Sequence, residues 1–211
     1  MAGVTSISFV RHGHVHNPEE VYYGRLPGFG LSEHGRREAH AVAEVLHDEA
    51  IVAIYSSPMQ RALETAEIIR ELHPGLSVRI SELINEVFSP FDGCSRSELL
   101  ALNWNLYDGV DPPYEQPIDV LQRTRRLVSH VRRKYPGQQV VAVTHGDVIA
   151  FMILWANGTP ITAAHKEALR EMGLPNGYPA PASISTFVYQ TTAQDELPAF
   201  EYTQIDATGA G

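Results

Sequence analysis

The stretch whose reading decides the fold is Ile7-Ser8-Phe9-Val10-Arg11-His12-Gly13-His14, an apolar run that stops on an arginine, a histidine and a glycine. Val4 to Val10 is rich in β-branched and aromatic residues and predicts a buried strand. Arg11 and His12 then fall at its carboxyl end, where open α/β sheets hold their ligands. Gly13 permits a sharp turn or a close approach of the backbone to a ligand. A strand-end histidine is as often a packing residue, so the reading depends on whether other segments repeat the pattern.

Two of them do. Ile51 to Tyr55 predicts a strand that ends at Ser56-Ser57-Pro58, followed by a helix reaching about Leu72 before Pro74-Gly75 stop it. Gln139-Val140-Val141-Ala142-Val143-Thr144 is the clearest buried strand and runs directly into His145-Gly146 and an apolar helix, Val148 to Trp155. Elsewhere Ser32 is expected to cap a helix running to about Asp48, with Ala39, Val42, Ala43 and Leu46 at helical spacing. Ser77 to Ile80 predicts a short strand. Ser81 to Pro113 reads as irregular, with one modest helix around Ser97 to Leu102, and Ile118 to Tyr135 as helical. A helix from about Thr162 to Met172, a closing hairpin from Ile184 to Gln190 and Phe200 to Ile205, and a frayed tail, Ala207 to Gly211, complete the pattern. Alternating strands and helices with an antiparallel finish predict a three-layer α/β/α sandwich with a mostly parallel central sheet and an antiparallel edge. One domain is expected over residues 1–211, with an insertion over the sheet end at about 87–117.

The chain has 211 residues, of which 44% are hydrophobic and 19% charged, enough to bury a core of that size. Its formal charge of -9 argues against nucleic acid or an anionic membrane as partner, since both select clustered Lys and Arg. The local basic groups Arg123, Arg125, Arg126 and Arg132, Arg133, Lys134 read as one solvated helix face. Cys94 is the single cysteine, so no internal disulfide can form. The N-terminus has neither a basic leader nor a long apolar run, and Val148 to Ala156 is too short to span a bilayer. A cytoplasmic protein is expected, and a homo-oligomer is compatible with these features.

Arg11 with His12, Arg61 just beyond Ser56-Ser57-Pro58, and His145-Gly146 would converge on one crevice at the carboxyl ends of the strands. Two arginines and two histidines there make a cationic pocket in an acidic protein. Its simplest occupant is a phosphoryl group, because guanidinium pairs bidentately with phosphate oxygens and helix N-termini add backbone donors. No GxxxxGK[ST] loop is present to cradle a nucleotide, and Cys94 lacks the basic context of a thiolate nucleophile. That leaves a histidine nucleophile, whose neutral ring nitrogen can attack phosphorus.

Arg11-His12-Gly13, Ser56-Ser57-Pro58-Met59-Gln60-Arg61-Ala62-Leu63-Glu64-Thr65-Ala66, His145-Gly146 and the segment Leu26-Pro27-Gly28 to Gly35 together resemble the histidine phosphatase superfamily, phosphoglycerate mutase-like branch. The resemblance covers most of the chain. It implies that His12 is phosphorylated and that Arg11, Arg61 and His145 bind the phosphoryl group. It also implies an acid that protonates the leaving oxygen; the match falls on Glu86, with Glu82 as competitor. Pro90 stands where the family often has glycine, and the segment from Glu86 to Gly93 is one residue short of the common pattern. Asn17 is carried over as a phosphate contact although it lies one residue nearer Arg11 than in the mutases, and Tyr23 and Arg25 are expected to border the pocket and read the substrate. The implied activity is hydrolysis of a small phosphate ester without cofactor or metal. Two alternatives stand beside it: mutase-type phosphoryl return, disfavoured by the lack of the longer insertion and lysine-bearing segments of those mutases, and a metal-dependent hydrolase using the alternating His12, His14 and His16.

Overall fold

The computed structural model describes residues 3–205, so the tail expected at 207–211 lies outside the described residues. Six strands, β1 (Thr5–Arg11), β2 (Ile51–Ser56), β3 (Val78–Ile80), β4 (Gln139–Thr144), β5 (Ile184–Tyr189) and β6 (Ala199–Thr203), form one sheet in the order β3-β2-β4-β1-β5-β6. The pairs β2–β3, β2–β4 and β1–β4 are parallel, whereas β5 runs antiparallel to both β1 and β6. This is the mixed α/β architecture with a mostly parallel sheet that the strand pattern predicts.

Burial on both faces explains why β4 is apolar without alternation. Val140 and Ala142 face a core shared with helices α4 (Pro117–Lys134) and α5 (Gly146–Ala156), while Val141 and Val143 face one shared with α1 (Glu33–Leu46) and α2 (Gln60–Glu71). The Ser32 hydroxyl caps α1 by accepting from Gly35 N at 3.0 Å, and Ala39, Val42, Ala43 and Leu46 are buried at helical spacing. Between β3 and α4 lie a 3-10 turn, Glu82–Ile84, and the short helix α3 (Arg96–Ala101), fastened by a Ser95–Glu98 capping box.

Three local expectations change. The segment expected as a helix over 162–172 is a 3-10 turn at Ala164–Arg170. A period near three puts Lys166 and Leu169 on the same inward side, one reaching a buried carboxylate and the other the core. The basic residues of α4 are not one solvated face. Arg132 is 3% exposed, pairing with Glu196 and lying over the Tyr189 ring, and Arg123 binds Glu115 and the carbonyls of Leu83 and Glu86. Gly13 is demanded by the protein itself: a Cβ there would lie 2.5 Å from the carbonyl oxygen of Gly35, so glycine lets the end of β1 cross the start of α1. Gly146 likewise lies against the Tyr178 ring.

Candidate active site

Arg11 ends β1, Arg61 opens α2 just beyond β2, and His145 caps the N-terminus of α5 after β4, so the parallel strands deliver all three to one end of the sheet. They meet there around His12. The His12 Nδ1 lies 2.8 Å from the carbonyl oxygen of Gly13, a pure acceptor, so Nδ1 carries the proton and Nε2 keeps its lone pair. Arg61 Nε donates to that Nε2 at 3.2 Å. Burial and the guanidinium of Arg61 hold the His12 pKa well below the usual imidazole range, so the ring is neutral near pH 7.

Arg61 is the hub of the site. It is 1% exposed, and its Nη2 reaches Gly24 O at 2.8 Å, His145 Nδ1 at 3.3 Å and Glu86 Oε2 at 3.4 Å, with Tyr23 stacked 4.6 Å from its Cζ. His145 is likewise held neutral, first by desolvation and then by Arg61. Its Nε2 lies 2.7 Å from Ser57 Oγ, whose hydroxyl donates onward to Asn85 Oδ1 at 3.4 Å; the set closes if Nε2 bears the proton and Nδ1 accepts from Arg61. The His145–Glu86 approach of 3.3 Å is therefore not an ion pair. Glu86 accepts from Val87 N at 2.9 Å, and desolvation raises its pKa against the opposing pull of Arg61. A carboxyl group in that setting can hold a proton for a leaving oxygen.

Arg11, His12 and Glu86 face a cavity of about 1170 Å³; Arg61 and His145 lie buried behind them. Glu82 stands outside it, exposed and bonded to Asn85 Nδ2, whereas Glu86 faces it. Arg11 Nη1 donates to Pro179 O at 2.6 Å, and its guanidinium lies 5.3 Å from the Tyr178 ring centre. Tyr23 borders the cavity. Asn17 also lines it, but its amide is engaged in both directions by the Val21 backbone, at 2.8 and 3.3 Å, and so shapes the loop. Arg25 is turned away from the cavity. It donates to Glu86 O at 2.8 Å and pairs with Glu115 at 3.0 Å, because the buried stretch around Glu86 offers it stronger acceptors than solvent does.

His12, His14 and His16 do not converge as metal ligands. The His12 ring is held on Gly13 O, and the His14 ring is drawn to Ser32 Oγ at 2.9 Å beside the cap of α1. Among the described residues, the group of donor atoms close enough for one ion, within 4.8 Å of one another, is His12, Glu86 and His145. The Arg61 guanidinium touches all three, so a cation already stands among them.

Sequence reasoning missed a second buried cluster beside the first. Asp147 accepts from Tyr178 OH at 2.7 Å, from Lys166 Nζ at 3.0 and 3.2 Å, and from the Tyr107 hydroxyl. Although burial opposes it, the cation and hydroxyls around Asp147 hold its pKa below the usual carboxylate value. A charged residue one position after a candidate site glycine and ahead of an apolar helix was the available signal.

A neutral histidine, two guanidinium groups and a buried carboxyl whose pKa is raised, gathered at the carboxyl end of a parallel sheet, make a setting suited to a phosphoryl group. The family model of the histidine phosphatase superfamily (branch 1) matches residues 7–176, and the chain belongs to that family. An uncharacterised protein of Mycobacterium tuberculosis is 34% identical over 193 residues, covering 88% of this chain and 90% of that one. The glucosyl-3-phosphoglycerate phosphatase of M. tuberculosis is 32% identical over 159 residues, covering 67% and 70% of the two chains. The native structure of a mycobacterial glucosyl-3-phosphoglycerate phosphatase superposes with a TM-score of 0.74 at 25% identity over 94% of this chain and 97% of that one. No helix of the described residues is long and apolar enough to cross a membrane.

Proposed function

We propose that this protein is a metal-independent phosphomonoester hydrolase that works on a small phosphorylated substrate through a phosphohistidine at His12. Family membership and the likeness to a phosphatase support the reaction class. The observation that carries the mechanism is the neutral His12 ring with its Nδ1–H bound to Gly13 O and its Nε2 lone pair beside Arg61. In the first step Nε2 attacks phosphorus and the P–O bond to the alcohol breaks, with the Glu86 proton passing to the departing oxygen. The Gly13 carbonyl stabilises the ring charge that develops. In the second step the Glu86 carboxylate takes a proton from water, whose oxygen attacks phosphorus; the N–P bond breaks and phosphate leaves.

Arg11, Arg61 and His145 supply donors to the equatorial oxygens, the positioning and charge stabilisation that a loose transition state needs. An incoming phosphoryl group takes over the Arg61 contact with His12. The reading of metal independence rests on Arg61, whose cation stands within the one compact donor group found among the described residues. His12→Ala is expected to abolish release of phosphate from p-nitrophenyl phosphate while leaving the melting curve intact, and wild-type activity is expected to survive a chelator. Turnover by a folded His12→Ala variant overturns the mechanism, and loss of activity in chelator that a divalent metal restores overturns metal independence.

A further inference from the structure

Beyond its phosphoryl end the cavity changes sign. Lys166, the one lysine in its wall, is bound through both oxygens of Asp147 and surrounded by the rings of Tyr107, Phe151 and Tyr178, so its charge is already neutralised. Farther out the wall carries Glu20, Asp108 and Glu167, all exposed and all without an ion-pair partner among the described residues. Arg96 is the single arginine on that side, and its guanidinium lies over the Trp104 ring at 5.9 Å. With histidine counted as neutral, three carboxylates face one guanidinium at the mouth. Trp104, 42% exposed, is presented there by a turn in which both it and Asn103 take positive φ, 55° and 50°, an uncommon backbone for residues with side chains.

Resting on the phosphatase reading above, we propose that this cavity selects phosphate monoesters whose alcohol part carries no second negative charge, with Asp108 and Glu167 as the discriminating residues. Besides the two arginines committed to the phosphoryl group, a carboxylate on the alcohol part would find Arg96 as its one cation, set against three unpaired carboxylates farther out. Like-charge juxtaposition of this kind is how a site rejects a near-identical ligand. A neutral or cationic body instead finds the exposed Trp104 face and carboxylate acceptors. This selectivity would set the chain apart from the relative named for a phosphoglycerate ester.

The test uses a matched pair of probes, glycerol 3-phosphate and 3-phosphoglycerate, which share a three-carbon frame and differ by hydroxymethyl against carboxylate. The full chain is expected to favour glycerol 3-phosphate in kcat/KM by about tenfold or more, the cost of one unscreened like charge at cavity distances, and the ratio shrinks as salt is added. The double variant Asp108→Lys, Glu167→Lys is expected to erase or invert the ratio, and reading the ratio cancels any general loss of turnover. A wild-type ratio of one, a preference for 3-phosphoglycerate, or a ratio unmoved by charge reversal overturns the inference. Failure to release phosphate from either ester and from p-nitrophenyl phosphate overturns the phosphatase reading itself.

Discussion

Arg61→Gln removes a side chain that touches His12, Glu86 and His145 together. A bidentate guanidinium grip on two phosphoryl oxygens comprises two charge-assisted hydrogen bonds of about 1.5–3 kcal/mol each, or about 3–6 kcal/mol. At 1.36 kcal/mol per factor of ten, kcat/KM is expected to fall by about 10²- to 10⁴-fold. The free protein loses much less. Its main debit is the 2.8 Å bond to Gly24 O, about 1–3 kcal/mol, which for a chain of this size lowers the melting temperature by a few degrees. The pH response carries a separate signature. Arg61 depresses the pKa of both histidines, so its removal moves the acidic limb of kcat/KM toward neutrality. Steady-state hydrolysis of p-nitrophenyl phosphate across pH 5 to 8, alongside circular-dichroism melts, reads all three. A folded variant that keeps kcat/KM within tenfold of wild type, with an unmoved acidic limb, refutes the role given to Arg61.

Glu86→Gln is expected to slow hydrolysis by about 10²- to 10⁴-fold, the usual worth of a positioned acid, whereas Glu82→Gln leaves kcat within about twofold; the reverse ranking reassigns the acid. Gly146→Ala places a Cβ against the Tyr178 hydroxyl and 2.5–2.6 Å from carbons of the ring that underlies Arg11, and overpacking of this kind costs about 1–3 kcal/mol. Activity should fall with it, and a melt and rate equal to wild type would remove Tyr178 from the support of Arg11. Because His12 and His145 titrate below their unfolded value, the unfolded chain binds more protons as pH falls through about 6.5. Stability is therefore lost on acidification below that point. Glu86, whose folded pKa is raised, contributes the opposite slope, its stabilisation fading as pH rises from the ordinary carboxyl range through the raised value. Melts from pH 5 to 7.5 should show a slope that His145→Gln flattens and Glu86→Gln steepens; an unchanged slope in both variants contradicts the burial assigned to these groups.

The fold was legible because its decisive elements are strands buried on both faces, and a run such as Val140 to Val143 has few other uses. The strand ends were legible for the same reason, since Arg11 ends such a run, His145 follows one directly and Arg61 comes five residues after one. Loop geometry was not. Asn17 and Arg25 carry the chemistry of ligand contacts, yet each is consumed by a neighbouring backbone group or carboxylate that one-dimensional spacing does not reveal. Asp147 escaped notice because its three partners come from segments 40, 31 and 19 residues away in sequence. The turn at Ala164–Arg170 has the composition of a helix, and its Lys166 is tied to Asp147, a partner that spacing along the chain does not reveal.

The central claim is a covalent bond between phosphorus and His12. Rapid quenching of the enzyme during turnover of a ³²P-labelled phosphomonoester, followed by peptide mapping, tests it most directly. The account predicts a label that is lost in acid, survives alkali and maps to the peptide bearing His12, and that is absent from His12→Ala. A label stable to acid, a label on another residue, or phosphate release that persists in His12→Ala would contradict it.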